Sequence, residues 1–147
     1  MKKYEFTGET KEIRLLFRTA TLHRIRATVA FGIVEVGDLG GWIEKEENLS
    51  HEGKAWVCGD AEVFSASHVL VIGAIGSRND FTTFYRDKDN EITVKCGCFL
   101  GKIDRFLEKV TQTHGDSKYA LVYRAAVEVA KLQIDLSGEA PKDADEE

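Results

Sequence analysis

The turn Gly76-Ser77-Arg78-Asn79 carries the residue types best suited to holding an anion. A glycine permits a tight turn, in which successive backbone N–H groups can form a nest for a phosphate. Ser77 adds a hydroxyl, and the planar guanidinium of Arg78 matches the geometry of phosphate oxygens. An ordinary polar turn with a surface arginine explains the same residues equally well, so both interpretations stay open.

A second group of bases lies on the predicted N-terminal strands. Its members are Arg14, Arg18, Arg24 and Arg26. For this group we favour a solvated sheet face over a binding role.

Residues that could support catalysis or hold a metal are present but lack the required partners. Cys96 and Cys98 resemble half of a metal site, but zinc needs about four ligands with matched spacing. No second histidine follows His51-Glu52 at the spacing of a zinc protease. Ser65 and Ser67 lack a nucleophile elbow. We therefore expect a binding protein rather than an enzyme, with no metal and no cofactor.

The net charge of −5 belongs to the C-terminus. Residues 135–147 hold six of the 25 acids and one of the 20 bases, which leaves a neutral body with 19 of each. A polar acidic tail of this kind is predicted to be disordered. A neutral body argues against DNA as a partner, because DNA binding needs a basic surface.

The chain has no features of export or membrane insertion. No apolar run approaches the roughly 18 residues that span a membrane, and residues 1–6 lack the apolar core of a signal peptide. Three cysteines are an odd number without an export signal, so we expect reduced thiols. These observations predict a cytoplasmic protein.

The first two thirds of the chain have the pattern of a sheet. Apolar and polar residues alternate within Ile13–Val36, which predicts paired strands before a glycine-rich turn at 37–41. Within Gly53–Gly76, valines recur every six residues, as in parallel β-helices. About four such units are too few for a solenoid, so we expect one or two rungs that continue the sheet. Coincidental valine spacing is the alternative. A hairpin is predicted where Thr82–Tyr85 and Ile92–Lys95 flank a polar turn.

Two helices are predicted to end the fold. Ile103, Phe106, Leu107 and Val110 form one apolar face of a helix that ends at His114-Gly115. A second helix, capped by Asp116 or Ser117, runs to about Gln133. It carries two apolar stripes, one through Leu121, Ala125, Val129 and Leu132, the other through Tyr119, Tyr123, Ala126 and Ala130. Two stripes indicate burial on two sides, for instance against the sheet and against another subunit. We expect Ala126 on the exposed stripe, so Ala126→Glu should break the oligomer.

The predicted fold class is therefore α+β. A single ligand-binding domain over residues 1–134 has an N-terminal antiparallel β-sheet, a short hexapeptide-like β segment and two C-terminal α-helices. Residues 135–147 form the disordered acidic tail.

The chain carries several motifs that can be taken together: Gly37–Glu44 with Glu47–Ser50, Ile75–Asn79, Thr82–Phe84, Cys96–Phe99 and Thr113–Gly115. Together they resemble the phage proteins of the first Thoeris anti-defence sponge family. The similarity covers roughly Leu22 to Ile134. The first motif also begins longer hexapeptide-repeat phage proteins, so the Ile75–Asn79 turn, the Cys96–Phe99 stretch and the two-helix end are the more specific signs.

This resemblance implies a function. Thoeris systems use a TIR-domain enzyme to convert NAD into a cyclic ADP-ribose isomer that activates a killing effector. Sponge proteins of this family bind the signal, such as glycocyclic ADP-ribose, without cleaving it, in the cytoplasm of the bacterial host. They are homo-oligomers, dimers or hexamers, with the ligand at a subunit interface, and some also bind cyclic trinucleotides. The rival interpretation is a structural or accessory phage protein whose β rungs mediate assembly without a small ligand.

The resemblance also implies site residues. Gly76, Ser77 and Arg78 match the family's phosphate-contacting loop. Phe106 would stack on the purine, and Asp116 would contact ribose hydroxyls from the turn between the helices. Arg124 and Lys131 are the bases available on the last helix, whose register the sequence leaves open. Phe99 belongs to a family motif and can be purely structural.

Overall fold

The N-terminal half forms a four-stranded sheet, described here from a computed structural model that covers residues 2–15, 17–51, 53–97 and 99–136. Its strands follow the spatial order β1 (Tyr4–Arg14), β2 (Thr19–Ala27), β3 (Leu39–Ile43) and β4 (Glu62–Val63). The first three are antiparallel neighbours, and β3 and β4 run parallel. The predicted N-terminal sheet is confirmed.

The bounds of these strands differ from the prediction. The strand pair begins at Tyr4 rather than Ile13, because β1 is a largely exposed edge strand whose polar residues gave no apolar alternation. At the other end β2 stops at Ala27, so Val29 and Phe31 lie in a loop. Phe31 pairs there with Val34 in an isolated bridge.

A second four-stranded sheet follows as an antiparallel meander. It comprises β5 (Val69–Ile75), β6 (Asp80–Arg86), β7 (Ile92–Cys96) and β8 (Phe99–Lys102). The predicted hairpin is its central pair. The turn between β6 and β7 is closed by Asp87, whose carboxylate accepts hydrogen bonds from the N–H groups of Asp89 and Glu91 and from the Thr93 hydroxyl.

Two helices complete the fold, as predicted. Helix α1 (Ile103–His114) ends at Gly115, whose φ of 57° and N–H to the Thr111 carbonyl form the expected glycine stop. Helix α2 (Lys118–Gln133) follows with Ser117 at its N-cap position, although the serine side chain makes no cap hydrogen bond.

Strand β6 contributes buried side chains to both faces of the second sheet, since neighbouring side chains of a strand point in opposite directions. On β6, Phe84 packs with the helices, in the core that includes Phe106 and Val127. The next residue, Tyr85, packs into the core of the first sheet with Trp56. The helices, the second sheet and the first sheet thus form successive layers.

The hexapeptide-like segment forms one parallel rung. Val57 and Val63 are buried, and their carbonyls accept hydrogen bonds from the N–H groups of Gly41 and Glu44. The period then breaks, because Val69 begins β5 of the other sheet. The expectation of one or two rungs that continue the first sheet is met by this single rung.

The chain stays packed past the end of α2. The Asp135 N–H donates to the Ser67 carbonyl, and the Asn90 side-chain amide donates to the Leu136 carbonyl. The ordered contacts therefore extend two residues beyond the boundary predicted at 134. The rest of the predicted tail, residues 137–147, lies outside the described residues.

Candidate functional site

The meander brings two turns of the second sheet to the same end. In an antiparallel meander alternate turns share an edge, so the β5–β6 turn lies beside the β7–β8 turn. The first holds Gly76 and Asn79, with φ values of 81° and 51°, and is closed by the Asn79 N–H to the Gly76 carbonyl at 3.1 Å. Gly97, with φ of 59°, lies in the second. Left-handed conformations are readily adopted by glycine and tolerated by asparagine.

Arg78 extends from the first turn to the second. A Cβ placed on Gly97 would lie 4.0 Å from Nη1 of Arg78. The carbonyl of Gly97 also accepts a hydrogen bond from Nζ of the buried Lys95, at 3.2 Å. Two cationic side chains therefore meet at one glycine.

A third base reaches this place from the first sheet's side of the molecule. Nζ of Lys54 lies 2.9 Å from Oδ2 of Asp80, and that hydrogen bond is the largest cause holding the pKa of Asp80 below its usual value. Among the described residues Arg78 forms no ion pair, so its guanidinium is available to another anion. Asp80 and Arg78 are close enough that the arginine also lowers the pKa of the carboxyl.

A cavity of about 220 Å³ opens between these side chains. Lys54, Arg78, Lys95 and Asp80 line it together with the rings of Phe31 and Phe81. Three bases against one acid leave a formal charge of +2, and the two rings provide apolar walls. The combination suits a doubly charged anion with a flat apolar part, such as a nucleoside diphosphate.

Tyr123 links the Arg78 turn to the helices. A Cβ on Gly76 would lie 1.8 Å from the Tyr123 hydroxyl oxygen, so the tyrosine packs directly on the glycine. Its ring stacks on His114 at 5.8 Å between centroids. Burial, with Cys96 nearby, raises the pKa of Tyr123 to about 12, so the hydroxyl stays neutral at ordinary pH.

The structure brings together only part of the predicted site. Gly76, Ser77 and Arg78 share their turn, and Ser77 is exposed. At the turn between the helices, Nη1 of Arg124 lies 3.9 Å from the exposed carboxylate of Asp116. Arg124 also donates to the Gly115 carbonyl at 3.0 Å and to the Thr111 hydroxyl at 3.3 Å. These bonds satisfy the end of α1 and occupy the guanidinium.

Lys131 and Phe106 lie elsewhere. Lys131 is exposed on α2 and pairs with Glu128 at 3.6 Å. Phe106 was expected to stack on a purine, but only 3% of it is exposed, and its ring packs edge-on against Phe84 and Tyr123. The same apolar spacing that predicted α1 directs this ring into the core, so we do not retain Phe106 in the candidate site.

The structure corrects which stripe of α2 is exposed, because the stripe that contains Ala126 is the buried one. Tyr123, Ala126 and Ala130 are buried against the second sheet and α1, although Tyr119 is 43% exposed. The other stripe is exposed along its length, at Leu121, Ala125, Val129 and Leu132. Ala126, with 5% exposure, is therefore a core residue and not a position at which to test assembly.

The sequence did not identify Lys54, Lys95, Phe31 or Phe81 as site residues. The order of strands in the meander offered one signal, because it places Gly97 and the nearby Lys95 beside the Arg78 turn. Phe31 and Lys54 belong to loops of the first sheet, and no spacing connects them with residue 78.

Comparison with protein-family models, with curated proteins and with solved structures found no match to this chain. In the part of the chain that the structure describes, no helix has both the length and the apolar character needed to cross a membrane. Within the same ranges, no three His, Cys, Asp or Glu side chains gather in a way that could hold a metal ion.

Proposed function

We propose that this protein is a sponge for a cyclic ADP-ribose isomer of the glycocyclic type: it binds the signal and holds it uncleaved. The observation that carries the proposal is the cavity where Arg78, Lys54 and Lys95 meet beside two phenylalanine rings. The signal presents a diphosphate, an adenine face and ribose hydroxyls. The bases match the diphosphate, and an aromatic ring matches the adenine.

The cavity is large enough for only part of the ligand. Pockets that enclose a whole drug-sized molecule have volumes of roughly 300–1,000 Å³. The cavity measures about 220 Å³, so it accommodates the diphosphate and one flat group while the rest of the ligand lies at the rim. We place the remaining contacts on a second copy of the chain in a dimer or hexamer, with the exposed stripe of α2 as the subunit contact.

The biological setting follows from the resemblance to the Thoeris anti-defence sponges. In this proposal the protein acts in the cytoplasm of the bacterial host and prevents the TIR-derived signal from reaching its effector. Such a role requires affinity and not turnover. Competition with an effector calls for a nanomolar dissociation constant, about −12 kcal/mol.

Calorimetry with glycocyclic ADP-ribose tests the site. Arg78→Ala should weaken binding by about one to two decades, because a charge-assisted contact contributes roughly 1.5–3 kcal/mol. Arg78→Lys should recover only part of the loss, since a point charge cannot reproduce the planar fork. Arg18 is the control: it is an exposed arginine in the turn between β1 and β2, paired with Glu44 at 2.6 Å, and its replacement by Ala should leave the affinity nearly unchanged. Loss of binding in Arg18→Ala with normal binding in Arg78→Ala would move the site to the sheet.

Chromatography of the ligand released from denatured protein tests the absence of turnover. The cyclic isomer should be recovered intact after long incubation. Recovery of linear ADP-ribose would identify a hydrolase instead.

A further inference from the structure

Lys3 lies buried directly behind the wall of the cavity. It is 3% exposed, and its Nζ donates hydrogen bonds to the carbonyls of Ala55 and Gly53, the latter at 3.4 Å. These two carbonyls flank Lys54 in the chain. The same Nζ lies 4.9 Å from the centroid of the Phe31 ring, a cation–π distance.

The two residues that Lys3 holds are both cavity residues. Phe31 provides a wall, and Lys54 provides one of the three bases. The loop is confined from its other side as well, because a Cβ on Gly53 would lie 3.5 Å from the ring of Phe81, a third cavity residue. One ammonium group, on the residue before β1, thus contacts two separate loops that both line the site.

We propose that Lys3 is a positioning residue of this site, whose ammonium fixes the 53–55 loop and the Phe31 ring so that Lys54 and Phe31 face the bound nucleotide. The inference rests on the proposed function. Lysine suits the task because its long stem crosses the core and its three donors can bond two carbonyls at once.

The position of Lys3 makes the tether sensitive to pH. Burial lowers the pKa of Lys3 to about 8. Above that pH the group becomes a neutral amine, which donates weaker hydrogen bonds and loses its attraction to the Phe31 ring. The charged and titratable groups around it and its two partner loops include Lys2, Tyr4, Glu46, His51, Lys54 and Asp80, and the chain's α-amino group acts electrostatically on His51.

The α-amino group ordinarily titrates at about pH 8, but every Lys3 variant retains it, so the comparison of variants separates its titration from that of Lys3. The Nδ1 of His51 accepts the Lys3 backbone N–H, and burial lowers the pKa of His51, so it is neutral above about pH 7. Burial raises the pKa of Tyr4, and the pKa values of Glu46 and Asp80 lie below their usual range. A diphosphate esterified at both ends also keeps its charge throughout, so the ligand itself does not titrate near pH 8.

Affinity and stability should therefore change in opposite directions with pH. The folded pKa of Lys3 is below its ordinary value of 10.5, so its contribution to stability grows as pH rises from about 8 to 10.5. The tether weakens over the same range, and the affinity should fall. If Lys3 only stabilised the fold, the affinity would rise with pH as the stability does.

Calorimetry with glycocyclic ADP-ribose at about pH 7 and about pH 9 tests the proposal on the full chain. Wild-type affinity should fall about threefold or more over this interval. Lys3→Met should bind about tenfold more weakly at the lower pH and show no further fall. Lys2→Met, an exposed neighbour, is the control and should resemble wild type.

Two further variants keep the test decisive if Lys3→Met does not fold. Lys3→Arg stays charged throughout, so its affinity should be level from about pH 7 to about pH 9. In a protein that already carries Lys54→Met, adding Lys3→Met should lower the affinity by about threefold or less. The effect is smaller because Lys3 then no longer has Lys54 to position. Wild-type affinity and pH dependence in Lys3→Met, or an undiminished fall in Lys3→Arg, would overturn the inference.

The outcomes also separate this inference from the proposed function. If wild type does not bind the nucleotide, or if Arg78→Ala binds as wild type does, the proposed site fails. If Arg78→Ala weakens binding as expected while Lys3→Met matches wild type, the site stands and only the role of Lys3 is wrong.

Discussion

The hydroxyl of Tyr123 occupies the space that a side chain at position 76 would need. A Cβ built on Gly76 would lie 1.8 Å from that oxygen, and the glycine has φ of 81°. The turn that presents Arg78 is therefore fixed against α2 by a contact that only glycine permits. This relationship couples the helical layer to the proposed phosphate site.

Gly76→Ala should consequently destabilise the protein and weaken nucleotide binding together. The left-handed backbone alone costs an alanine roughly 1–2 kcal/mol, and overpacking against the tyrosine adds roughly 1–3 kcal/mol. Gly59→Ala is the matched control, because Gly59 has φ of 59° and no heavy atom within 4 Å of its Cβ position. Urea denaturation should show the larger loss for Gly76→Ala. Equal losses in the two variants would mean that the tyrosine yields freely.

The elements were predictable where the pattern is local. The 103–114 spacing and the glycine after it located α1, and the polar turn after Arg86 located the central hairpin. The edge strand β1 was missed in large part because an exposed strand needs no apolar alternation. Phe106 was expected at the ligand because of the family resemblance, but it is buried. The apolar face that predicted α1 also predicts that this ring packs in the core.

The candidate site was less predictable than the fold. Arg78 was recognisable from its turn, which is a local feature. Lys54 and Phe31 join it through packing of the two sheets, a long-range relation that residue spacing does not encode. Arg124 was recognisable as a base on α2, but its hydrogen bonds to the end of α1 depend on how the two helices meet.

The exposed stripe of α2 predicts assembly. Val129 is 47% exposed and Leu132 is 89% exposed, whereas Ala126 of the other stripe is buried. Val129→Glu should convert an oligomer into a monomer of 16.4 kDa, because a carboxylate cannot be buried in an apolar contact without a partner. Light scattering at micromolar concentration measures the mass.

Gln112→Glu is the control for that variant, since it adds the same charge at an exposed position of the other helix, α1. It should leave the oligomer intact. A wild-type protein that is already monomeric at high concentration would contradict the subunit contact. Ala126→Glu is unsuitable, because a charge at a buried alanine tests folding rather than assembly.

Replacement of the one acid in the cavity should strengthen anion binding. Asp80 competes with the ligand, since it holds Nζ of Lys54 at 2.9 Å and adds a negative charge to the lining. Asp80→Asn should release the lysine and improve the affinity for the diphosphate by about fivefold, equivalent to about 1 kcal/mol. Asp89→Asn removes a similarly paired acid, held by Lys102 at 2.8 Å on the β6–β7 turn, and should change little. Weaker binding in Asp80→Asn would mean that the carboxylate contacts the ligand.

His68 makes the fold sensitive to acid. It is 5% exposed, its Nδ1 accepts the Phe64 N–H at 3.3 Å, and its ring lies edge-on to that of Phe64. Burial, and secondarily the charge of Arg86, lower the pKa of His68 to about 4 from an ordinary value of 6.5. The unfolded chain therefore binds a proton in this interval that the folded chain does not.

Stability should accordingly fall as pH decreases from 6.5 to about 4, and the contribution of His68 is about 3 kcal/mol at most over the whole interval. His68→Asn preserves an acceptor for the Phe64 N–H but cannot titrate, so it should be less stable than wild type near pH 7 and lose less on acidification. Urea midpoints at about pH 7 and about pH 5 measure the difference, in a range above the titration of most carboxylates. If the two proteins lose the same stability between these pH values, the folded chain protonates His68 as readily as the unfolded chain does, and folding does not lower the pKa of His68.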